Sequence, residues 1–210
     1  EIADDDWSSD VCSSDLGPPL PAPRCAYALA TSSDNLYLFG GWNGSQYVGT
    51  LYIYDAASET WSEASPMTPN RGFSAATSLG TNIYVIGGYD GQSELNTCTY
   101  YQPDTDTWHT CAPLTIGRGG LGLISVGNQL YAIGGGGWSS YLGFNERYSP
   151  SNDRWTLIET PLVNEWRSPG VTSINTTIYA IGGWSNNYLS MTQAFDPLPF
   201  QIFIPISQQE

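Results

Sequence analysis

The stretch Asn82-Ile83-Tyr84-Val85-Ile86-Gly87-Gly88 is apolar on both alternating faces and stops at a glycine pair. A strand of that kind must be covered on both faces. Leu36-Tyr37-Leu38-Phe39 ahead of Gly40-Gly41, and Leu130-Tyr131-Ala132-Ile133 ahead of Gly134-Gly135, repeat the pattern, and a fourth pair follows at Gly182-Gly183. The pairs are spaced 47, 47 and 48 residues apart. Three other markers keep nearly the same period. Trp61, Trp108 and Trp155 are separated by 47 and 47, Tyr54, Tyr101, Tyr148 and Phe195 by 47 throughout, and Arg24, Arg71, Arg118 and Arg167 by 47, 47 and 49. A shared period of this length is the signature of a repeat architecture.

Each unit reads as four short strands. In the second, a small-residue strand runs over 72–79, the apolar strand over 82–86, a third over 96–102 and a fourth over 107–111, with the turn cluster Pro103-Asp104-Thr105-Asp106 between the last two. Pairing residues whose numbers sum to 209 sets Tyr101 opposite Trp108 and Cys98 opposite Cys111. The same register joins Tyr54 to Trp61 and Tyr148 to Trp155 in the flanking units. Such cross-strand aromatic pairs add a few tenths to ~1 kcal/mol beyond burial, and core between neighbouring sheets is their expected role.

Composition agrees with many short strands joined by tight turns: 23 Gly, 14 Pro, 14 Tyr and 8 Trp stand against 12% charged residues, with no lysine. The formal charge is −14, but six of the 20 acids lie in residues 1–15; without them, 14 acids against six arginines leave −8. An acidic chain without lysine lacks the clustered positive charge that phosphate backbones and anionic membranes require. Nucleic acid and membrane insertion are therefore set aside, and no run approaches the ~20 apolar residues of a membrane span.

An Arg, a small-residue strand, an apolar-Tyr-apolar run into Gly-Gly, a Tyr about 13 residues on and a Trp seven later together resemble the kelch repeat. The resemblance covers Arg24 to about Phe195. It implies an all-β, kelch-type β-propeller with four recognisable four-stranded blades, about 24–70, 71–117, 118–166 and 167–210, within a repeat region of 20–210. The fourth unit is irregular, with Ile202 where Trp is expected and Phe200-Gln201-Ile202-Phe203-Ile204 left to supply its outer strand. Because such propellers usually close with six or seven blades, part of a larger ring is expected; a four-bladed closure, or completion by further sequence or a second copy, are the alternatives. Residues 1–19 match no repeat and read as a leader, disordered or artefactual.

Cys98 and Cys111 occur together in one unit, where the others carry Leu51 with Ala64 and Asn145 with Ile158. Paired appearance on opposed strands favours a disulfide, and a disulfide favours an extracellular or cell-surface location over the cytoplasm. Cys12 and Cys25 match no metal-site spacing.

The single histidine, His109, follows Trp108 on an outer strand, so serine–histidine and copper-oxidase chemistries lack their ligands. No catalytic residue, metal site or cofactor is expected. The resemblance places Arg24, Arg71, Arg118 and Arg167 near one mouth of the channel, where guanidiniums meet acidic peptides; the alternative is that each bonds neighbouring carbonyls within the scaffold. Trp42, Tyr89, Trp138 and Trp184 follow the glycine pairs in loops rich in Asn, Ser and Gly, a mixture suited to protein or glycan surfaces. The expected function is a non-catalytic module for protein–protein or glycan recognition. A fragment of a carbohydrate-active enzyme, galactose-oxidase-like or isomerase, and a structural spacer are the alternatives.

Overall fold

The structure, a computed structural model, describes residues 17–137, 143–159 and 168–197. Arg167, Trp138 and the segment 200–204 expected as an outer strand lie outside these residues, as do residues 1–16.

Three four-stranded antiparallel meanders follow one another, each in sequential strand order. The first holds β1 (Ala28–Ser32), β2 (Asn35–Phe39), β3 (Leu51–Asp55) and β4 (Thr60–Ala64). The second holds β5 (Ala75–Leu79), β6 (Asn82–Ile86), β7 (Cys98–Gln102) and β8 (Thr107–Cys111), and the third β9 (Gly122–Val126), β10 (Gln129–Ile133), β11 (Asn145–Ser149) and β12 (Arg154–Ile158). A fourth sheet contains β13 (Gly170–Ile174), β14 (Thr177–Ile181) and β15 (Thr192–Phe195). These are the blades of a four-bladed β-propeller whose inner strands pack in series, β1 on β5, β5 on β9 and β9 on β13.

The register is the one the repeat demands. Tyr54 faces Trp61, Tyr101 faces Trp108 and Tyr148 faces Trp155, with ring centroids 5.1, 5.3 and 5.1 Å apart. Cys98 faces Cys111 and is joined to it by a disulfide across a Cα–Cα distance of 5.1 Å.

The core lies between blades rather than within one. Tyr37, Phe39 and Leu51 of the first blade close on Ile83, Val85 and Tyr101 of the second. Tyr84, Ile86 and Cys98 on the other face of the second then meet Leu130, Ala132 and Tyr148 of the third. This is why the apolar strands carry large residues at both parities. On the fourth blade Ile181 is 47% exposed, whereas its counterparts Phe39, Ile86 and Ile133 are wholly buried.

Polar contacts reinforce the same seams. Asp106 ends the short 3-10 turn after β7 with a left-handed φ of 51°. Its carboxylate accepts bonds from the Tyr101 hydroxyl at 2.8 Å and, across the seam, from the Ser65 amide at 2.9 Å and hydroxyl at 3.0 Å. Asp153 repeats the device with Tyr148 and the Ala112 amide. Trp108 Nε1 donates to the Ser65 carbonyl at 2.8 Å, and Trp61 Nε1 donates to that of Pro18 at 3.2 Å. Pro18 stands 47 residues before Ser65.

Trp108 is only half-buried, so Trp108→Ala should cost about 2–3 kcal/mol, below the ~3–5 kcal/mol of a fully buried Trp; equilibrium urea unfolding measures it. Bonds from the Ser65 amide and then the Tyr101 hydroxyl hold the Asp106 carboxyl below its ordinary range. A depressed folded-state pKa contributes stability that is present above the unfolded value near pH 4 and is lost as pH falls through the folded one. Melting temperature should therefore drop on acidification below about pH 4, and Asp106→Asn should flatten that part of the profile; an unchanged acid limb would refute the assignment.

Candidate functional site

The three described arginines of the repeat, Arg24, Arg71 and Arg118, do not form one exposed cationic face. Arg71 and Arg118 are wholly buried. Arg71 donates to Thr99 Oγ1 at 2.7 Å and to the carbonyls of Val85 and Pro69 at 3.3 Å. Arg118 makes an ion pair with Glu146 at 2.6 Å, bonds the carbonyls of Gly134 and Phe144, and lies 4.6 Å over the Phe144 ring. The free Glu146 oxygen accepts from the amide and hydroxyl of Thr115. Arg24 is half-buried and reaches Thr50 and Tyr52. Tyr52, Thr99 and Glu146 are equivalent positions, 47 residues apart, so each described guanidinium ties the start of its blade to the third strand. Burial lowers the Arg71 pKa to about 10, and it lowers that of Arg118 against the opposing pull of Glu146. Both stay cationic near neutrality, yet neither is presented to an acidic peptide. The expectation of an arginine-lined mouth is corrected at these two positions, because the guanidiniums are consumed as internal ties.

The backbone of the same residues explains the glycine pairs. The Arg71 carbonyl accepts the Gly41 amide at 2.9 Å, and the Arg118 carbonyl accepts that of Gly88 at 2.9 Å. A Cβ on Gly40 or Gly87 would lie 2.4 Å from those oxygens, and both residues hold φ near +60°. No other residue type satisfies both constraints.

Beside the arginines runs a ladder of small bridges at one mouth. Cys25 pairs with Trp42, Gly72 with Tyr89 and Gly119 with Gly136, while Trp42 also pairs with Tyr47, Tyr89 with Glu94 and Trp184 with Tyr188. Trp42, Tyr89 and Trp184 are thus equivalents, but the third blade's equivalent is Gly136 rather than Trp138. Spacing alone exposes this, since 89 plus one 47-residue period is 136. Next to it, Gly120 occupies the place held by Ala26, Phe73 and Ser168 in the other blades, all four left-handed, and only the second blade carries a ring there.

A cleft of about 370 Å³ opens beside these glycines. Gly119, Gly120, Gly136 and Gly137 line it together with Phe73, Tyr89, Trp184 and Tyr188, and Glu94 supplies a carboxylate. Tyr89 is braced edge-on by Tyr47 at 5.6 Å, and Trp184 by Tyr188 at 4.9 Å. Of the aromatic candidates, Tyr89 and Trp184 come together here. Trp42 packs instead on Tyr47 at 5.0 Å. Glu94 was not legible as a site residue until the bridge partners were aligned, when it stands where the first and fourth blades have Tyr47 and Tyr188.

His109 stacks on Tyr100 with centroids 5.0 Å apart, on the outer strand β8. Among the described residues no group of three or more His, Cys, Asp or Glu could hold a metal ion.

The family described as the KLHDC2/KLHL20/DRC7 Kelch-repeats domain matches residues 2–183. Human Kelch-like protein 4 is 40% identical over 53 residues, 25% of this chain and 7% of that protein. Kelch-like protein 40 of Xenopus tropicalis is 37% identical over 68 residues, 30% of this chain and 10% of that protein. The chain thus matches only a small part of the length of these relatives. Among solved structures, that of YjhT aligns with a TM-score of 0.69 at 18% identity, covering 79% of this chain and 60% of that one. At this identity the likeness is one of fold. With the arginine ties, the glycine approach and the aromatic register all repeated from blade to blade, the chain belongs to the kelch-repeat family.

Proposed function

We propose that this chain is a non-catalytic recognition module that binds a segment of a partner protein in the cleft between Tyr89 and Trp184. The observation that carries the reading is the coincidence of Gly136, where the other blades carry Trp42, Tyr89 and Trp184, with the cleft of about 370 Å³. That size is within the range of sites that engulf a small ligand or a few side chains. Rigid aromatic walls beside glycines offer large contact area at low entropic cost. Arg71 and Arg118 bear weight in the scaffold, His109 stands on an outer strand, and among the described residues lining the cleft Glu94 is the one charged group. The Cys98–Cys111 disulfide supports an oxidising compartment as the place of work.

Selection from a displayed random-peptide library tests the reading. Peptides enriched on the native chain should lose at least tenfold in affinity on Gly120→Phe, which fills the cleft with the residue the second blade already tolerates at the same φ. Its left-handed backbone should cost only ~1–2 kcal/mol of stability. Undiminished binding to the filled variant would sink the proposal. The double variant Arg71→Ala with Arg118→Ala should lower the melting temperature by more than ~10 °C, since each change strands buried partners at ~3 kcal/mol or more. A melting temperature left intact alongside lost peptide binding would return the arginines to the ligand site.

A further inference from the structure

The acids near aromatic rings in these blades mostly have scaffold partners: Asp106 and Asp153 hold a tyrosine hydroxyl and a neighbouring blade's amide, and Glu146 holds Arg118. Glu94 differs. Among the described residues its carboxylate makes no ion pair or side-chain hydrogen bond, and Arg118–Glu146 is the one salt bridge. It is half-buried in the cleft, and a Cβ on Gly137 would fall 2.8 Å from Oε1 and 3.4 Å from Oε2. The glycine at that place lets the carboxylate lie against the backbone. The repeat does not require an acid there, because Tyr47 and Tyr188 fill the corresponding places. A half-buried carboxylate without a cation, placed among Tyr89, Trp184, Phe73 and Tyr188, repels anionic ligands and suits a cation that also stacks on ring faces.

Resting on the recognition role proposed above, we propose that the cleft takes the guanidinium of an arginine side chain presented by the partner, paired with Glu94 and stacked against Tyr89 and Trp184. The guanidinium is planar, always charged near neutrality and weakly hydrated, so it satisfies a carboxylate with a fork of N–H donors while its faces lie on aromatic rings. The cleft's own arginine neighbours do not compete, since Arg71 and Arg118 are committed to their blades.

The test uses N-acetyl-L-arginine amide and its neutral near-isostere N-acetyl-L-citrulline amide as probes. Titration is followed at the Trp184 indole N–H by NMR, on the native chain and on Glu94→Gln, with a thermal melt of each to confirm folding. The arginine compound should give saturable shifts, the citrulline compound should bind at least tenfold more weakly, and Glu94→Gln should abolish the preference. Equal binding of the two compounds, or a preference that survives Glu94→Gln, overturns the assignment. If neither compound shifts the Trp184 signal while library-selected peptides still bind and are blocked by Gly120→Phe, the cation assignment fails and the recognition role stands. If those peptides also fail, both fall.

Discussion

The structure depends on one short approach: the carbonyls of Arg71 and Arg118 against the glycine pair of the blade before. The Gly41 and Gly88 amides bond the carbonyls of Arg71 and Arg118, and a side chain on Gly40 or Gly87 would occupy the same space as those oxygens. Everything nearby is arranged to keep that contact. The guanidinium of the same arginine reaches back to the third strand of its own blade, so one residue fastens two blades. Removing it from solvent is costly, and that cost is offset only because the carbonyls, Thr99 or Glu146 are already in place. Further out, Asp106 and Asp153 perform the corresponding service with exposed carboxylates, whose bonds are correspondingly weaker.

Periodicity made most of the fold legible. Strands, turns, the aromatic pairs and the opposition of Cys98 to Cys111 all follow from the one register, because each is a local property of a hairpin repeated in kind. The arginines were legible as repeated residues but not as buried ones: spacing reveals that a position recurs, not whether the next blade covers it. Trp138 lies outside the described residues, and the bridge that corresponds to those of Trp42, Tyr89 and Trp184 belongs to Gly136. No marker of the repeat singled out Pro18, whose carbonyl accepts from Trp61 as that of Ser65 does from Trp108.

The cleft illustrates how a repeat acquires individuality. Two positions distinguish it from its counterparts: Gly136, where the other blades have Trp42, Tyr89 and Trp184, and Glu94, where the first and fourth have Tyr47 and Tyr188. Neither belongs to the seams, which run through the arginines, the glycine pairs and the core strands. Sites built from positions that the seam leaves unconstrained can change chemistry with little loss of stability, which is why binding residues gather on loops held by a rigid frame.

One further line of bonds joins the blades at the mouth. The Phe73 amide donates to the Ala26 carbonyl, that of Gly120 to Phe73, and that of Ser168 to Gly120, through four residues that are all left-handed. The line has a direction, with every unit donating to the one before it and accepting from the one after it. It therefore behaves as a chain of identical links: an inserted copy of the 47-residue unit arrives with both its donor and its acceptor, and restores the connection it interrupts. Tandem duplication in such a gene lengthens the array without any new interface having to evolve, and blade number becomes something heredity adjusts by whole units.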